Sequence, residues 1–296
     1  MSDATIEKTF QVPSPAKLEL GNLCGSVELR PGEDGSIHVT AVKRDGRGNP
    51  ERTAIEMTQN ADGTVVVRTR FPEAGWSWLF GAHPCDVDYV VTAPRRCDLK
   101  LRGVSSSADV SGFEGSCALE TVSGEVRLSE LSGELSLRSV SGDIAAERLA
   151  GPLALNTVSG NLTVQAGSLA SVRATAVSGD VCLESPLGDG PYAFDSVSGD
   201  VRLIVPPETR CTAELSSVSG TLFTDFPATG TARSGGTSSV AIRGGGTRLT
   251  LRSVSGDLSL ECRGPVPGSA EARRSVLERL EQGELSVEEA VSQLKG

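Results

Sequence analysis

The stretch Leu135-Ser136-Leu137-Arg138-Ser139-Val140-Ser141-Gly142-Asp143-Ile144 is one copy of a pattern that recurs through most of the chain. Its core, Val-Ser-Gly, begins at Val122, Val140, Val158, Val177, Val197, Val218 and Val254, with a degenerate copy at Val104-Ser105-Ser106. Successive steps are 18, 18, 18, 19, 20, 21 and 36 residues, and the last reads as two units with an unmarked corner near Gly235-Gly236. A second mark falls half a period away, at Phe113-Glu114-Gly115, Leu131-Ser132-Gly133 and Leu149-Ala150-Gly151. A fixed period of this length is the signature of a repeat architecture.

Within each unit apolar and polar residues alternate, as in Val126-Arg127-Leu128, Leu135-Ser136-Leu137 and Leu258-Ser259-Leu260. Strict alternation predicts strands with one buried face. Gly supplies the unusual backbone at each corner, and Ser with Asp or Asn supplies turn hydrogen bonds. Nothing between Val104 and Cys262 has helical periodicity, so the strands connect through corners and the chain coils. The expected fold is all-β: a parallel β-solenoid (β-helix) of 18–21-residue rungs, each pairing with the one before and after it. Stacked at about 4.8 Å per rung, it rises to a rod on the order of 38 Å long. The expected inward column includes Val126, Leu128, Leu135, Leu137, Ile144 and Leu155, together with the corner valines from Val122 to Val254. Cys117, Cys211 and Cys262 share that parity and read as small buried hydrophobes.

Four regions follow. Residues 1–103 alternate less regularly and read as the N-terminal part of the solenoid, with a cap and a Trp-containing loop; 104–262 are the regular repeats. Residues 263–269, containing Gly264-Pro265-Val266-Pro267-Gly268, are a linker. Residues 270–296 read as a helical hairpin, with Ser269 as N-cap, Gly283 as stop and Ser286-Val287-Glu288-Glu289 as a capping box. So short a hairpin cannot bury enough surface alone and must dock on something.

Composition narrows function. The 296 residues carry a net charge of −10, which opposes a nucleic-acid partner, and only 11 are aromatic, leaving few platforms for stacking sugars or bases. The first residues lack a basic and apolar leader, and no apolar run reaches about 18 residues, so neither a secretory signal nor a membrane span is expected. Seven scattered cysteines point to reduced thiols and a cytoplasmic location.

Three candidate sites stand out. Glu125, Asp143, Asp180, Asp200 and Asp257 follow the corner Gly, interrupted by Asn161 and Thr221. Solvated turn residues are the reading preferred over a calcium column, because the calcium-binding Gly-Gly-x-Gly-x-Asp pattern is missing. Gly75-Trp76-Ser77-Trp78-Leu79-Phe80-Gly81 holds both tryptophans and is either a plug for the solenoid end or an exposed contact patch. His83 and Cys85, with Cys97 and the isolated His38, are too sparse for zinc, so no metal or other cofactor is expected. Pairs such as Glu125 with Asp143 keep a carbohydrate-active β-helix enzyme open as an alternative.

The Ser-Val-Ser-Gly-Asp repeats, Val87-Asp88-Tyr89-Val90-Val91-Thr92-Ala93-Pro94 and the run Gly244-Gly245-Gly246-Thr247-Arg248-Leu249-Thr250-Leu251 resemble the bacterial putative-adhesin family of β-strand repeats, a domain of unknown function. The tail from Val276 to Ala290 resembles the SHOCT-like helical hairpin often attached to it. The resemblance implies a link to cell-envelope stress responses. The expected function is a non-catalytic scaffold that recruits a protein partner, such as a membrane-associated stress-response component. Trp76, Trp78, Leu79 and Phe80, or Val276, Leu277, Leu280, Leu285, Val291 and Leu294, would make the contact. A surface adhesin is the other alternative, and homo-oligomers through the solenoid ends or the hairpins are open.

Overall fold

The computed structural model describes residues 4–44, 48–71, 83–165, 167–226, 229–234 and 237–263. Among these residues there are strands and no helix, and every strand joins one continuous hydrogen-bonded system. The repeat unit is two strands joined by a corner. Cys117–Ser123, Leu135–Ser141, Ala150–Ser159 and Ser168–Ser178 pair in parallel, one period apart, so that Leu119, Leu137, Leu155 and Ala174 are register partners. Beyond the corner, Val126–Ser129, Ile144–Glu147, Leu162–Gln165 and Val181–Glu184 form a second parallel ladder. The half-period marks Phe113, Leu131 and Leu149 are buried and join the same core, linked across rungs by bridges from Arg96 to Glu114, Ser132 and Ala150.

The corner valines are a correction. Val104, Val122, Val140, Val158, Val177, Val197 and Val254 are 45–52% exposed, and Val218 is 84% exposed. The reason is continuity of the pleat: Leu135, Leu137 and Ser139 point inward, so Val140, three residues beyond Leu137, points out with Arg138. The inward position before each valine from Val122 onward belongs to a small residue, Thr121, Ser139, Thr157, Ala176, Ser196, Ser253 or Ser217. Several of these hydroxyls donate to carbonyls within the corner, as Ser139 does to Gly142 at 3.1 Å and Ser196 to Gly199 at 3.3 Å.

Rung order is a second correction. Tyr192–Ser198 pairs with Thr247–Ser255, not with Cys211–Ser219, which lies one step further out. After Val205 the chain crosses to the far end, lays down Cys211–Ser219 and Leu222–Thr224, reverses through Thr229–Ser234 and Thr237–Ile242, and returns as Thr247–Ser255 and Leu258–Cys262 in between. The return fills both sides of Leu249 and Leu251 with parallel neighbours, while antiparallel Thr237–Ile242 covers Cys211–Ser216. The 36-residue step is therefore an excursion and return. From Val104 to Val218 the stack rises seven steps, about 34 Å at the usual strand spacing.

At the other end Ala16–Pro31 runs through its own corner as one strand and pairs with Cys97–Ser111 from Ala16↔Cys97 to Leu29↔Val110. Val65–Arg70 and Val87–Ala93 continue the parallel stacking. The strands Ala4–Gln11, Ser36–Lys43 and Ala54–Gln59 are antiparallel to their neighbours and close this end. A buried polar network anchors the closure. Asn22 donates to Val87 O at 2.9 Å and to Ser106 Oγ at 3.2 Å and accepts from Thr69 Oγ1 at 3.1 Å, and Thr69 also meets the Tyr89 hydroxyl at 2.7 Å. Burial pushes the Tyr89 phenol up to about 12.

Candidate interaction faces

The corners are built on close approach. Gly124, Gly160, Gly179, Gly199, Gly256 and Gly220 all have positive φ, and a Cβ on Gly179 would sit 2.2 Å from Gly160 O. Only glycine allows backbone to stack on backbone there. Immediately after each corner lies the acidic column, whose role is now visible. The Asp143 carboxylate accepts the N–H of Asn161 at 2.8 Å, Asn161 Oδ1 accepts that of Asp180 at 3.1 Å, and Asp180 accepts that of Asp200 at 2.9 Å. Asp200 then accepts from Asp257 at 2.8 Å and Asp257 from Thr221 at 2.6 Å. Each short side chain caps the backbone of the next rung, and where the cap is a carboxylate the bond is charge-assisted. Glu125 reaches sideways to Arg127 at 2.6 Å instead. Among the described residues no group of three or more His, Cys, Asp or Glu is arranged to hold a metal ion.

The remaining chemistry-bearing residues are dispersed. His38 lies between Thr9 Oγ1 at 2.9 Å and Thr40 Oγ1 at 3.3 Å. Cys85 is buried, its N–H on Thr53 Oγ1 at 3.0 Å. Cys97, Cys117 and Cys211 are buried thiols, pushed up by desolvation to about 12, 12 and 11, whereas Cys262, at the end of its strand, is only half-buried. A shallow groove of about 270 Å³ runs past Ser136, Pro152, Ala154 and Pro191, with Glu134 as its sole lining carboxylate. Trp76, Trp78, Leu79, Phe80, Val276, Leu277, Leu280, Leu285, Val291 and Leu294 lie outside the described residues.

One face was not anticipated. The partners flanking the corner valines are in register, Ser139 with Thr157 and Ser141 with Ser159, so the valines stack into a continuous outward column. Two residues earlier on the same face is a second column. In rung order it reads Arg102, Glu120, Arg138, Asn156, Thr175, Asp195, Arg252, Ser216. Within it Arg102 pairs with Glu120 at 3.2 Å. A third column, two residues earlier again, reads Lys100, Ala118, Ser136, Ala154, Arg173, Ala193, Thr250, Glu214. The valine face was legible in principle, by counting twos from Leu135 to the corner.

A coiled stack of parallel strands, carrying one apolar stripe on its outer surface, defines a solenoid protein. The chain belongs to the Toastrack DUF4097 family, whose profile matches residues 17–261. No curated protein matches the sequence. Among solved structures, it is similar to one described as a putative cell adhesion protein from Clostridium sporogenes, at 10% identity and TM-score 0.29, covering 88% of this chain and 100% of the other. It is also similar to a putative adhesin from Parabacteroides distasonis, at 12% identity and TM-score 0.44, covering 88% of this chain and 97% of the other.

Proposed function

We propose that the protein is a non-catalytic scaffold, a rigid solenoid whose exposed faces hold protein partners. The observation that carries this is the valine column: eight outward aliphatic side chains in one file, one per rung, whereas the other large exposed hydrophobics among the described residues, Ile6, Val90 and Phe223, lie outside it. Contiguous apolar surface on a folded protein marks a contact site. A glycosidase needs two carboxyl groups flanking a cleft, and the 270 Å³ groove is lined by one, while Glu125 and Asp143 are engaged with Arg127 and the Asn161 N–H. The free thiols support action in the cytoplasm. In this reading residues 76–80 and the 270–296 segment recruit the partner, a membrane-associated component of an envelope stress response. The test is recovery of the tagged chain from fractionated native cells, alongside variants carrying Trp76→Ser with Trp78→Ser or Leu280→Asp with Leu294→Asp. The proposal expects a cytoplasmic chain that brings down a discrete membrane-associated protein, lost in one of the variants. Recovery at the cell exterior, or glycan turnover by the purified chain, overturns it.

A further inference from the structure

The valine column and the charged column beside it point to a specific occupant, a second copy of this chain. We infer that two solenoids pack side by side, face to face and with opposite axial directions, about a two-fold axis lying along the strand direction between the Asn156 and Thr175 rungs. This rests on the same column that carries the scaffold reading and gives it an occupant; loss of the dimer with a membrane-associated protein still recovered would sink the inference and leave that reading standing.

The geometry follows from laying the face on itself. An axis along the strands keeps each column opposite its own kind and reverses the order of the rungs, so valine meets valine at a common spacing of about 4.8 Å. Equal pitch keeps the two aliphatic ridges in contact, valine against valine, along the whole overlap. The reversal sets Glu120 against Arg252 of the second copy, Arg138 against its Asp195, and Asn156 against its Thr175. By the two-fold, every such contact occurs twice. In the third column it sets Lys100 against Glu214. No like charges meet in either column.

Slides of one rung fail on charge, and slides of two rungs bring no like charges together but keep only six rungs of overlap and fewer opposite-charge pairs. Sliding the copies by one rung one way places Glu120 against Asp195 and Arg102 against Arg252, and sliding the other way places Arg138 against Arg252. The observed rung order is essential, because exchanging the Arg252 and Ser216 rungs would bring Arg102 onto Arg252 in the full-overlap register. Eight rungs of about 4.8 Å by a face about 15 Å wide bury roughly 600 Å² per partner. That is below the roughly 800 Å² of a standard interface, so a dimer with micromolar affinity is expected.

The experiment is sedimentation equilibrium of the full chain from about 1 to 100 µM at low salt, a range bracketing that affinity, with X-ray scattering to read shape. The expected result is reversible dimerisation with a maximum dimension close to the monomer's, weakened by salt. Arg138→Glu and Asp195→Arg should each weaken the dimer by roughly tenfold or more, since each places two like-charged pairs across the interface. Combining them should restore affinity to within about threefold, the two charges having exchanged places. Val158→Asp, at an exposed position, should abolish dimerisation and leave the circular dichroism unchanged. A full chain that stays monomeric, its valines covered by its own C-terminal segment or by another protein, overturns the inference. So does an elongated end-to-end dimer, or a double variant no tighter than the single ones.

Discussion

Gly160→Ala puts the stacked corners to a quantitative test. Gly160 has φ +138°, and an added Cβ would lie 2.4 Å from Gly142 O, about 1 Å inside ordinary contact at 3.4 Å. Two penalties combine, a strained backbone of about 1–3 kcal/mol and overpacking of about 1–3 kcal/mol. The stiffer unfolded chain offsets about 0.4–1 kcal/mol of this. The net expectation is a loss of roughly 1–5 kcal/mol. Two companions separate the contributions. Gly35→Ala has φ +79° with nothing within 4 Å, so it carries strain alone. Gly142→Ala has its φ outside the left-handed range but meets Gly124 O at 2.3 Å, so it carries contact alone. Urea unfolding followed by circular dichroism gives the ordering, and hydrogen exchange at the adjoining rungs localises the damage, since stability in a stack is shared between nearest neighbours. If Gly160→Ala costs no more than Gly35→Ala, the corners do not pack backbone on backbone and the reasoning is wrong.

Leu137→Ala, at a fully buried position, should cost about 2–5 kcal/mol in urea unfolding, while Val140→Ala should stay within about 0.5 kcal/mol at concentrations where the chain is monomeric; equal costs would contradict the outward valines. Asp200→Ala should lower stability by about 1 kcal/mol by orphaning the Asp257 N–H, Asp200→Asn should recover most of it and Asp200→Glu little, and millimolar calcium should not raise the melting temperature of the native chain. Cys117 and Cys211, buried and with thiols held up near 12 and 11, should resist a thiol reagent at pH 8 in the folded protein and react in urea, whereas half-buried Cys24, Cys182 and Cys262 should react first. Fast native labelling of Cys117 would place it outside the core.

The solenoid was legible because its cause is local. An 18-residue period carrying alternating Leu and Val admits few alternatives once every unit ends in a corner glycine. Hydrophobicity alone places the valines inside, and the pleat overrides it: Val140 is as apolar as Leu137, but an uninterrupted strand cannot turn both inward, and the narrow corner takes Ser139 instead. Rung order was not legible at all. The sequence of the 197–254 segment is compatible with two rungs in succession, and only the antiparallel strand Thr237–Ile242 against Cys211–Ser216 shows that the chain first went past the position it later filled. The acidic column was found by spacing, but which oxygen meets which N–H depends on the rise between rungs, and that separates short Asp143 from longer Glu125. The charge pattern beside the valines acquires meaning only in the spatial order of the rungs.

The most direct test is a set of distances along the rod by double electron–electron resonance, with labels introduced through noncanonical amino acids so that the native thiols are untouched. One label at Arg127 and the second at Arg202, Ser259 or Phe223 places pairs four, five and six rungs apart on the face away from the valines. The expected separations between backbones are about 19, 24 and 29 Å, rising by one strand spacing each time, with residue 259 nearer to residue 127 than residue 223 is. Distances that do not rise evenly, or that place residue 223 nearer than residue 259, would contradict the parallel stack and its order.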